Sequence, residues 1–145
     1  MSKKLFYLFL LLSLFGEGCI KETATSIPAS GPSGTFTGQF RLLRRSTDKV
    51  PFDTTKANLS ITLNSVSNSF AIGGDTTIVH AGSHGSYTIS APFINFTDQT
   101  LSKTSAQAKA HLSGLYQYYY DGTVFQLLAY SADTLSLQYD FKRTQ

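Results

Sequence analysis

The sequence has little of the residue types that usually staple small domains together or supply their chemistry. Cysteine occurs once in 145 residues, at Cys19, so no disulfide can form within the chain and a hydrophobic core must hold the fold. Tryptophan is absent, and glutamate occurs only at Glu17 and Glu22. The aspartates fall mostly at predicted turns, where turn formation explains them. Because no shielded pair of carboxylates is predicted, we expect no enzyme activity and no cofactor.

Charge is also scarce. Twelve Lys and Arg residues against nine Asp and Glu give a net charge of +3, and only 14% of the residues are charged. A basic surplus this small and this dispersed is not the footprint of a nucleic-acid-binding protein, so we expect no nucleic-acid partner. A chain of this length fits one domain around one hydrophobic core. We expect that domain to be a monomer.

The apolar run near the N-terminus is too short to cross a bilayer. Lys3 and Lys4 precede a mostly apolar stretch over residues 5–15, whereas a spanning helix needs about 20 apolar residues. A positive start, a short apolar core and small residues at the exit are typical of a cleaved secretory signal. We therefore predict that residues 1–18 are a signal peptide.

The residues around Cys19, FGEGCIKE, resemble the lipobox of bacterial lipoproteins. In that family the cysteine thiol receives a diacylglyceryl group and becomes the new N-terminus, so the resemblance implies fatty acyl chains such as palmitate on Cys19. Ile20 stands where an Asp commonly retains such proteins on the inner membrane. We therefore expect attachment to the outer membrane, with the domain either periplasmic or surface-exposed. The alternative is an ordinary signal peptide followed by a free thiol.

Cys19 is followed by a stretch with few residues that could pack. The segment IKETATSIPASGPS is rich in Ser, Thr, Pro and Gly, which is typical of a linker. We predict that residues 19–33 are an acylated cysteine and a flexible tether. Fully extended, the tether reaches roughly 45 Å at about 3.3 Å per residue.

From Gly34 onward, apolar and polar residues alternate with a period of two. The segments GTFTGQFRLL, ANLSITLN and TLSLQYDFK show the pattern most clearly. Strict alternation of this kind predicts strands with one face on a core and the other in water. The predicted strands cover residues 34–45, 56–65, 67–73, 84–91, 92–97, 112–120, 123–130 and 133–142.

Turn residues separate these strands at short intervals. Asp121-Gly122 is the strongest hairpin signal, and it predicts a two-residue type I′ turn. The longest connection, residues 99–111, is predicted to be a loop with one helical turn that caps a barrel end. Eight strands joined in this way predict an all-β, antiparallel, up-and-down barrel over residues 34–145, because closure removes exposed strand edges.

The lipobox, the tether, the successive hairpins and the Gly-Thr-Phe start of the first strand resemble the small lipocalin-like lipoproteins of bacteria. In lipocalins and fatty-acid-binding proteins the first strand carries Gly-x-Trp, whose ring closes one barrel end beneath a basic residue of the last strand. The resemblance implies that Phe36 closes that end and that Lys142 or Arg143 supplies the basic group. It does not imply carboxylate capture, because Leu137-Gln138-Tyr139 replaces the Arg-x-Tyr pair of fatty-acid binders.

Two functions fit such a barrel, since eight strands enclose room for either a filled core or one small ligand. The leading hypothesis is a binding module that holds a small apolar or amphipathic ligand. Its predicted contact residues are Phe36, Phe40, Tyr116, Tyr118 and Tyr139. The alternative is a solid-core barrel that serves as a structural or protein- or glycan-interaction module at the cell surface. The side chains predicted to point inward are Phe36, Phe40, Leu59, Ile61, Leu63, Phe70, Ile72, Tyr116, Tyr118, Leu137 and Tyr139.

The most suggestive polar cluster is His80 and His84, with Asp75 nearby in sequence. Glycines around both histidines make a shared helical face improbable, so we interpret the segment as an exposed loop and predict no metal site; zinc binding is the alternative. Ser83 beside His84 does not form a nucleophile–base pair, because adjacent residues of an extended segment point apart. We predict no catalytic residue here.

Overall fold

The computed structural model describes residues 31–102, 108–131 and 134–144. The predicted signal peptide, Cys19 and most of the predicted tether lie outside the described residues. Eight strands and no helix occur in the described part of the chain. Accordingly, no helix there is long and apolar enough to cross a membrane.

The strands follow the predicted segments closely. They are β1 (Gly34–Arg44), β2 (Asp53–Asn64), β3 (Ser69–Gly74), β4 (His84–Ser90), β5 (Phe93–Asp98), β6 (Gly114–Tyr120), β7 (Val124–Ser131) and β8 (Leu135–Arg143). The largest difference is the start of β2, which was predicted at residue 56. Pairing with β1 continues to Arg44 opposite Asp53 and extends the strand backwards.

The strands form a closed antiparallel barrel in the order of the sequence, β1 to β8, with β8 paired to β1. This confirms the predicted up-and-down barrel. The start of β1 and the end of β8 lie at one end, here called the lower end, together with the 65–68, 91–92 and 121–123 connections. The upper end carries the longer loops, at residues 45–52, 75–83 and 99–113.

The barrel core follows the alternation in the sequence. All eleven side chains predicted to point inward belong to the buried cluster or pack against it, with Tyr118 and Leu137 only partly buried. The core also contains large residues that were not singled out from the sequence. These include Tyr87, Ile94, Phe96, Leu112, Tyr120, Phe125, Leu127 and Phe141.

Two glycines sit where neighbouring strands approach too closely for a side chain. A Cβ placed on Gly38 of β1 would lie 1.9 Å from the carbonyl oxygen of Asp140, and one on Gly85 of β4 would lie 2.0 Å from that of Thr97. Only glycine fits such positions, which often mark bends in a sheet. We infer that these positions help the strands to curve into a closed tube.

The hairpin at Asp121-Gly122 exists, but its turn is not the predicted type I′. The flanking register pair is Tyr120 with Phe125, which leaves four residues, 121–124, between the paired positions. Gly122 has a positive φ of 99°, whereas Asp121 is not among the residues with positive φ. Instead, the Asp121 carboxylate accepts hydrogen bonds from the backbone N–H groups of Thr123 and Val124, at 2.8 and 2.7 Å. The side chain thus stabilises a wider loop.

Two loops cover the upper end. The backbone of His80 bridges to Ala110, and Leu112 is fully buried in the core. The prediction that the 99–111 connection caps a barrel end is therefore confirmed for its described part. No helical turn occurs at residues 99–102 or 108–111, and residues 103–107 lie outside the described part of the chain.

The lower end receives the incoming chain. Pro32 is buried, Gly31 lies against the side chain of Ile89, and the Ser33 hydroxyl donates to the Leu63 carbonyl at 3.4 Å. The last residues of the predicted tether therefore pack on the barrel. Any anchor that precedes them must approach the domain from this end.

Candidate functional site

Stacked aromatic rings close the lower end of the barrel. Phe36 is fully buried, with ring centroids 6.0 Å from Tyr120 and 5.4 Å from Phe125. The guanidinium of Arg143 lies 5.0 Å from the Phe36 centroid, within the range of a cation–π contact. The predicted closure of this end by Phe36 beneath a basic residue of the last strand is confirmed, and Arg143 is that residue.

The middle of the barrel is occupied by rings that contact one another. The Tyr139 centroid lies 4.7 Å from Phe40 and 5.8 Å from Tyr116, and Tyr116 in turn lies 5.9 Å from Phe96. These four side chains are at most 2% exposed. Phe40, Tyr116 and Tyr139 were predicted to line a ligand cavity. They are brought together at the centre, and there they pack on each other.

Tyr118 is the predicted contact residue that lies apart from this group. Its side chain is only partly buried, and its ring centroid is 6.4 Å from Phe125 near the lower end. It therefore does not face Phe40 or Tyr139 across a common space. The five predicted contact residues do not form one site.

The side chain of His80 fills the upper part of the barrel. This position was not predicted from the sequence. It was expected in an exposed loop, but its side chain is completely buried. Its Nδ1 lies 2.6 Å from the Ala81 carbonyl, so Nδ1 carries the proton, and Nε2 accepts a hydrogen bond from the Tyr139 hydroxyl at 2.9 Å. Burial lowers the pKa of His80 to about 4, so the ring is neutral at neutral pH.

Other polar groups in the interior are poorly suited to proton transfer. The buried hydroxyl of Tyr87 makes no hydrogen bond with the described residues, and that of Tyr116 lies beside the hydroxyl of Tyr139. Burial raises the pKa of Tyr87 and of Tyr116, and it raises the pKa of Tyr139 well above its usual range. All three tyrosines therefore stay protonated at neutral pH, and none of them is a base.

The suspected histidine cluster does not assemble. His84 is exposed on β4 while His80 is buried with both ring nitrogens engaged, and the exposed Asp75 carboxylate accepts from the Thr77 hydroxyl at 3.0 Å. Within the described ranges, no group of three or more His, Cys, Asp or Glu side chains is placed to hold a metal ion.

A different polar pair fastens the upper loops. His111 Nδ1 lies 2.7 Å from Asp98 Oδ2. Burial raises the pKa of Asp98, but hydrogen bonds from Thr100 and His111 outweigh that effect and lower the pKa overall. The pair connects the end of β5 to the return of the chain towards β6, so a structural role explains it.

An open groove lies on the outer wall of the barrel, across β6, β7 and β8. It has a volume of about 410 Å³ and is here called the outer groove. Strand register sets Gln117 opposite Leu128, and Gln126 opposite Asp140, so outward positions of three strands form rows across the wall. The groove is lined by Gln117, Tyr118, Tyr119, Gln126, Leu127, Leu128, Gln138 and Asp140.

A second groove, of about 490 Å³, lies across β1, β2 and the end of β3. Gln39 of this groove is the register partner of Asp140 in the outer groove. The two grooves therefore adjoin along the β8–β1 pair. The second groove is lined by Thr37, Gly38, Gln39, Asn58, Leu59, Ser60 and Gly74.

The one carboxylate that lines the two grooves is compensated. Gln126 Nε2 donates to Asp140 Oδ1 at 2.8 Å, and Arg41 forms an ion pair with Asp140 Oδ2. Both side chains of the ion pair are about one third exposed, so solvent screening keeps its contribution to stability below about 1 kcal/mol. The pair still fixes the orientation of Asp140 and leaves the groove with little net charge.

Chemically, the outer groove can hold a ligand but offers little for catalysis. The glutamine amides each carry two donors and an acceptor, and the Tyr119 ring is 45% exposed beside them. The lining contains no histidine, cysteine or serine, so it holds no common nucleophile–base pair. The arrangement is that of a recognition surface with amide groups and an aromatic side.

Sequence reasoning assigned these outward residues to solvent and did not identify a groove. One available signal was the repeated glutamine at outward positions of separate strands, namely Gln39, Gln117, Gln126 and Gln138. These four glutamines lie on β1, β6, β7 and β8. Their adjacency depends on β8 closing onto β1.

Comparison with known proteins adds no family. No protein-family model, curated protein or solved structure matches this chain. The strand topology of the closed, eight-stranded antiparallel barrel is consistent with a calycin-like fold.

Proposed function

We propose that this chain is a lipid-anchored, lipocalin-like module of the bacterial outer membrane that performs no catalysis and binds a partner with its outer wall. In this proposal the barrel is a solid scaffold, and the outer groove across β6, β7 and β8 is the recognition surface. The observation that carries it is the contrast between a barrel interior occupied by its own aromatic rings and an open groove outside.

The interior argues against the other hypothesis, a small apolar ligand inside the barrel. Phe40, Tyr116 and Tyr139 would have to line such a ligand. However, the ring centroid of Tyr139 lies only 4.7 Å from that of Phe40 and 5.8 Å from that of Tyr116. His80 closes the space above them and bonds to Tyr139. Because cores pack as densely as organic crystals, entry of a ligand would require these rings to move together.

The outer groove supports a recognition role because its side chains are accessible and held in place. Tyr119 is exposed for 45% of its surface, while Gln126 is oriented by its hydrogen bond to Asp140. The β-strand backbone beneath them belongs to a closed sheet, which is a rigid support. A preorganised surface loses less entropy on binding than a flexible one.

The proposed anchor is compatible with this surface. If Cys19 carries the lipid, Ser30 follows it eleven positions along the chain, which gives a reach of about 35 Å at roughly 3.3 Å per residue. The chain enters at the lower end, where Pro32 is buried. The outer groove lies on the side wall and therefore stays accessible when the lower end faces the membrane.

Two measurements on the detergent-solubilised full-length chain test the proposal. Native mass spectrometry is expected to give the mass of the polypeptide with its acyl chains and nothing more. Sedimentation with isolated bacterial envelopes, in detergent that keeps the acyl chains in micelles, is expected to show retention that the Tyr119→Ala/Gln126→Ala double variant loses. Thr88→Ala, an exposed site on β4 outside both grooves, is the matched control and should behave as the unsubstituted chain.

Two results would overturn the proposal. A stoichiometric apolar molecule that remains bound in the mass spectrum would return the function to the barrel interior. Envelope retention that is equal in the double variant and in Thr88→Ala would exclude the outer groove as the recognition surface.

A further inference from the structure

We infer that the ligand of the outer groove is an oligosaccharide that lies across the strands from β6 to β2. This inference depends on the proposed function, because it names the partner of the same surface. The observations behind it are the continuity of the two grooves, their amide-rich lining, their low net charge and their exposed aromatic side.

The two grooves together form one extended surface, here called the amide belt and defined by the side chains of Gln117, Gln126, Gln138, Gln39 and Asn58. Asp140 and Gln39 are register partners, so the belt continues from β8 to β1. Asn58 is in turn the register partner of Gln39 and carries the belt onto β2. Five strands are crossed, which is about 19 Å at roughly 4.8 Å per strand. A surface of this length suits several linked sugar units better than a single one.

The amide belt matches the hydrogen bonding of sugar hydroxyls. A hydroxyl group both donates and accepts, and a carboxamide presents two donors and an acceptor in one plane. The side-chain amides of Gln39, Asn58 and Gln117 make no hydrogen bond with other described residues. They are therefore available to a ligand without breaking contacts within the protein.

Aromatic rings lie on the β5–β6 side of the belt. Tyr119 is 45% exposed, and Phe93, the register partner of Gln117, is 43% exposed. The apolar C–H face of a pyranose can lie on such a ring while its hydroxyl rim meets the amides. Leu128 of the groove lining lies between Gln117 and Gln138 in register and supplies a further apolar contact.

Charge and topology make other partners less suitable. The charge of Asp140 is compensated by Arg41 and no lysine lines either groove, so the two linings present little net positive charge to phosphate groups. The barrel is closed, which leaves no strand edge for a peptide to extend. The exposed apolar residues are interspersed with amides, whereas the core of a protein interface is more apolar than the rest of the surface.

A glycan array followed by calorimetric titration tests the inference. The detergent-solubilised full-length chain is applied to neutral and acidic oligosaccharides, and a length series of the best-bound neutral glycan is then titrated. We expect affinity to rise with the number of sugar units and to level off once the glycan spans the belt. We expect no binding of single-stranded DNA or of vesicles with anionic lipids.

Substitutions locate the binding surface. Gln126→Ala and Asn58→Ala should each weaken binding roughly threefold to tenfold, which corresponds to one net hydrogen bond. Tyr119→Ala should weaken it at least as much, whereas Tyr119→Phe should retain it because stacking needs the ring and not the hydroxyl. Thr88→Ala is the control and should bind as the unsubstituted chain.

The possible failures separate the two proposals. If no oligosaccharide binds while envelope retention still depends on Tyr119 and Gln126, the glycan inference is wrong and the partner is a protein. If envelope retention does not depend on these residues either, the proposed function is wrong as well. Equal affinity for a monosaccharide and a long oligomer would overturn the extended binding mode.

Discussion

At the scale of single residues, His80 is the side chain whose environment most constrains its chemistry. It is completely buried beside Tyr139, and its Nδ1–H donates to the Ala81 carbonyl. Desolvation by burial is the main reason that the pKa of His80 is lowered, and the hydrogen bond to Ala81 acts against it. Of the titratable side chains nearby, His111 lowers the pKa of His80 and Asp98 raises it. Protonation of His80 therefore costs free energy in the folded barrel, whereas in the unfolded chain the exposed imidazole is protonated without this cost.

The first prediction follows from the pKa of His80, which is about 4 in the folded chain against 6.5 as the ordinary value. Between these two pH values the unfolded chain binds a proton that the folded chain does not. The free energy of unfolding should fall as the pH decreases from 6.5 to 4, by about 1.4 kcal/mol per pH unit and roughly 3 kcal/mol in total, and this loss should cease below pH 4.

Urea denaturation at several pH values measures this effect. His80→Phe serves as the comparison, because it removes the titrating group and should flatten the profile between pH 6.5 and 4 even if it lowers stability at all pH values. Asp98 acts in another window, since its lowered pKa gives stability that is present above its ordinary pKa of 3.8 and is lost as the pH falls below it. An unchanged slope in His80→Phe would contradict the assignment.

The second prediction concerns the filled interior. Phe40→Ala removes a completely buried ring that contacts Tyr139 and His80, and should lower the free energy of unfolding by about 3–5 kcal/mol. Tyr130→Ala removes a ring that is 68% exposed and should change it by less than about 1 kcal/mol. If Phe40→Ala costs as little as Tyr130→Ala, the interior is loosely packed and a ligand cavity becomes the better account.

Residue-level prediction succeeded where a side chain's direction follows from strand parity. Phe36, Phe40 and Tyr139 were predicted to point inward, and they do. The burial of His80 was not predictable in this way, because residues 75–83 lie between strands and have no parity. Its burial depends on a loop folding over the upper end, where its ring meets Phe40 and Tyr139 from distant strands.

At the scale of elements, neighbouring strands are paired over segments of different length, and each paired segment is here called a seam. β1 and β2 share eleven register pairs, whereas β3 and β4 share only three, from Ser69–Ser86 to Ala71–His84. Beyond the paired segment, the Ile72 N–H donates to the Ser83 carbonyl of the incoming loop at 2.7 Å. The β3–β4 seam is thus the place where the closed sheet has the fewest cross-strand pairs.

The third prediction is that the barrel opens first at this seam. Local opening is least costly where few backbone hydrogen bonds and few buried contacts must be broken. Amide hydrogen exchange followed by NMR should give lower protection for N–H groups that bond across β3–β4, such as that of Ile72, than for those across β1–β2. Equal protection at both seams would show that the barrel opens only by global unfolding.

Element boundaries were predictable within about three residues because the alternation and the turn residues act locally. The predicted strand 67–73 is observed as Ser69–Gly74, and 123–130 as Val124–Ser131. The Asp121-Gly122 turn was less predictable, since the Asp121 carboxylate satisfies the N–H groups of Thr123 and Val124 and favours a wider loop. Local side-chain bonds of this kind compete with the standard turn.

At the scale of the whole molecule, the sequence predicted a closed barrel but left open whether its interior is filled. The answer depends on whether the side chains of Phe40, Tyr116, Tyr139 and His80 together fill the space inside the barrel. The alternation in the sequence gives the direction of each strand side chain but not how these volumes fit together. The outer groove depends in the same way on closure, because Gln39 and Asp140 are neighbours only through the β8–β1 pair. Both properties arise when distant segments meet.

The fourth prediction concerns attachment to the membrane. Cys19→Ser should abolish incorporation of radiolabelled palmitate and shift the chain from the membrane fraction to the soluble fraction, because the proposed function assigns the stable anchor to several acyl chains on Cys19. Ser30→Ala, a change in the predicted tether that leaves the thiol intact, is the control and should keep both label and membrane attachment. Label that persists in Cys19→Ser would place the acyl group elsewhere. A chain that loses the label yet stays with the membrane would mean that the barrel itself, through its exposed wall or lower end, is held at the envelope.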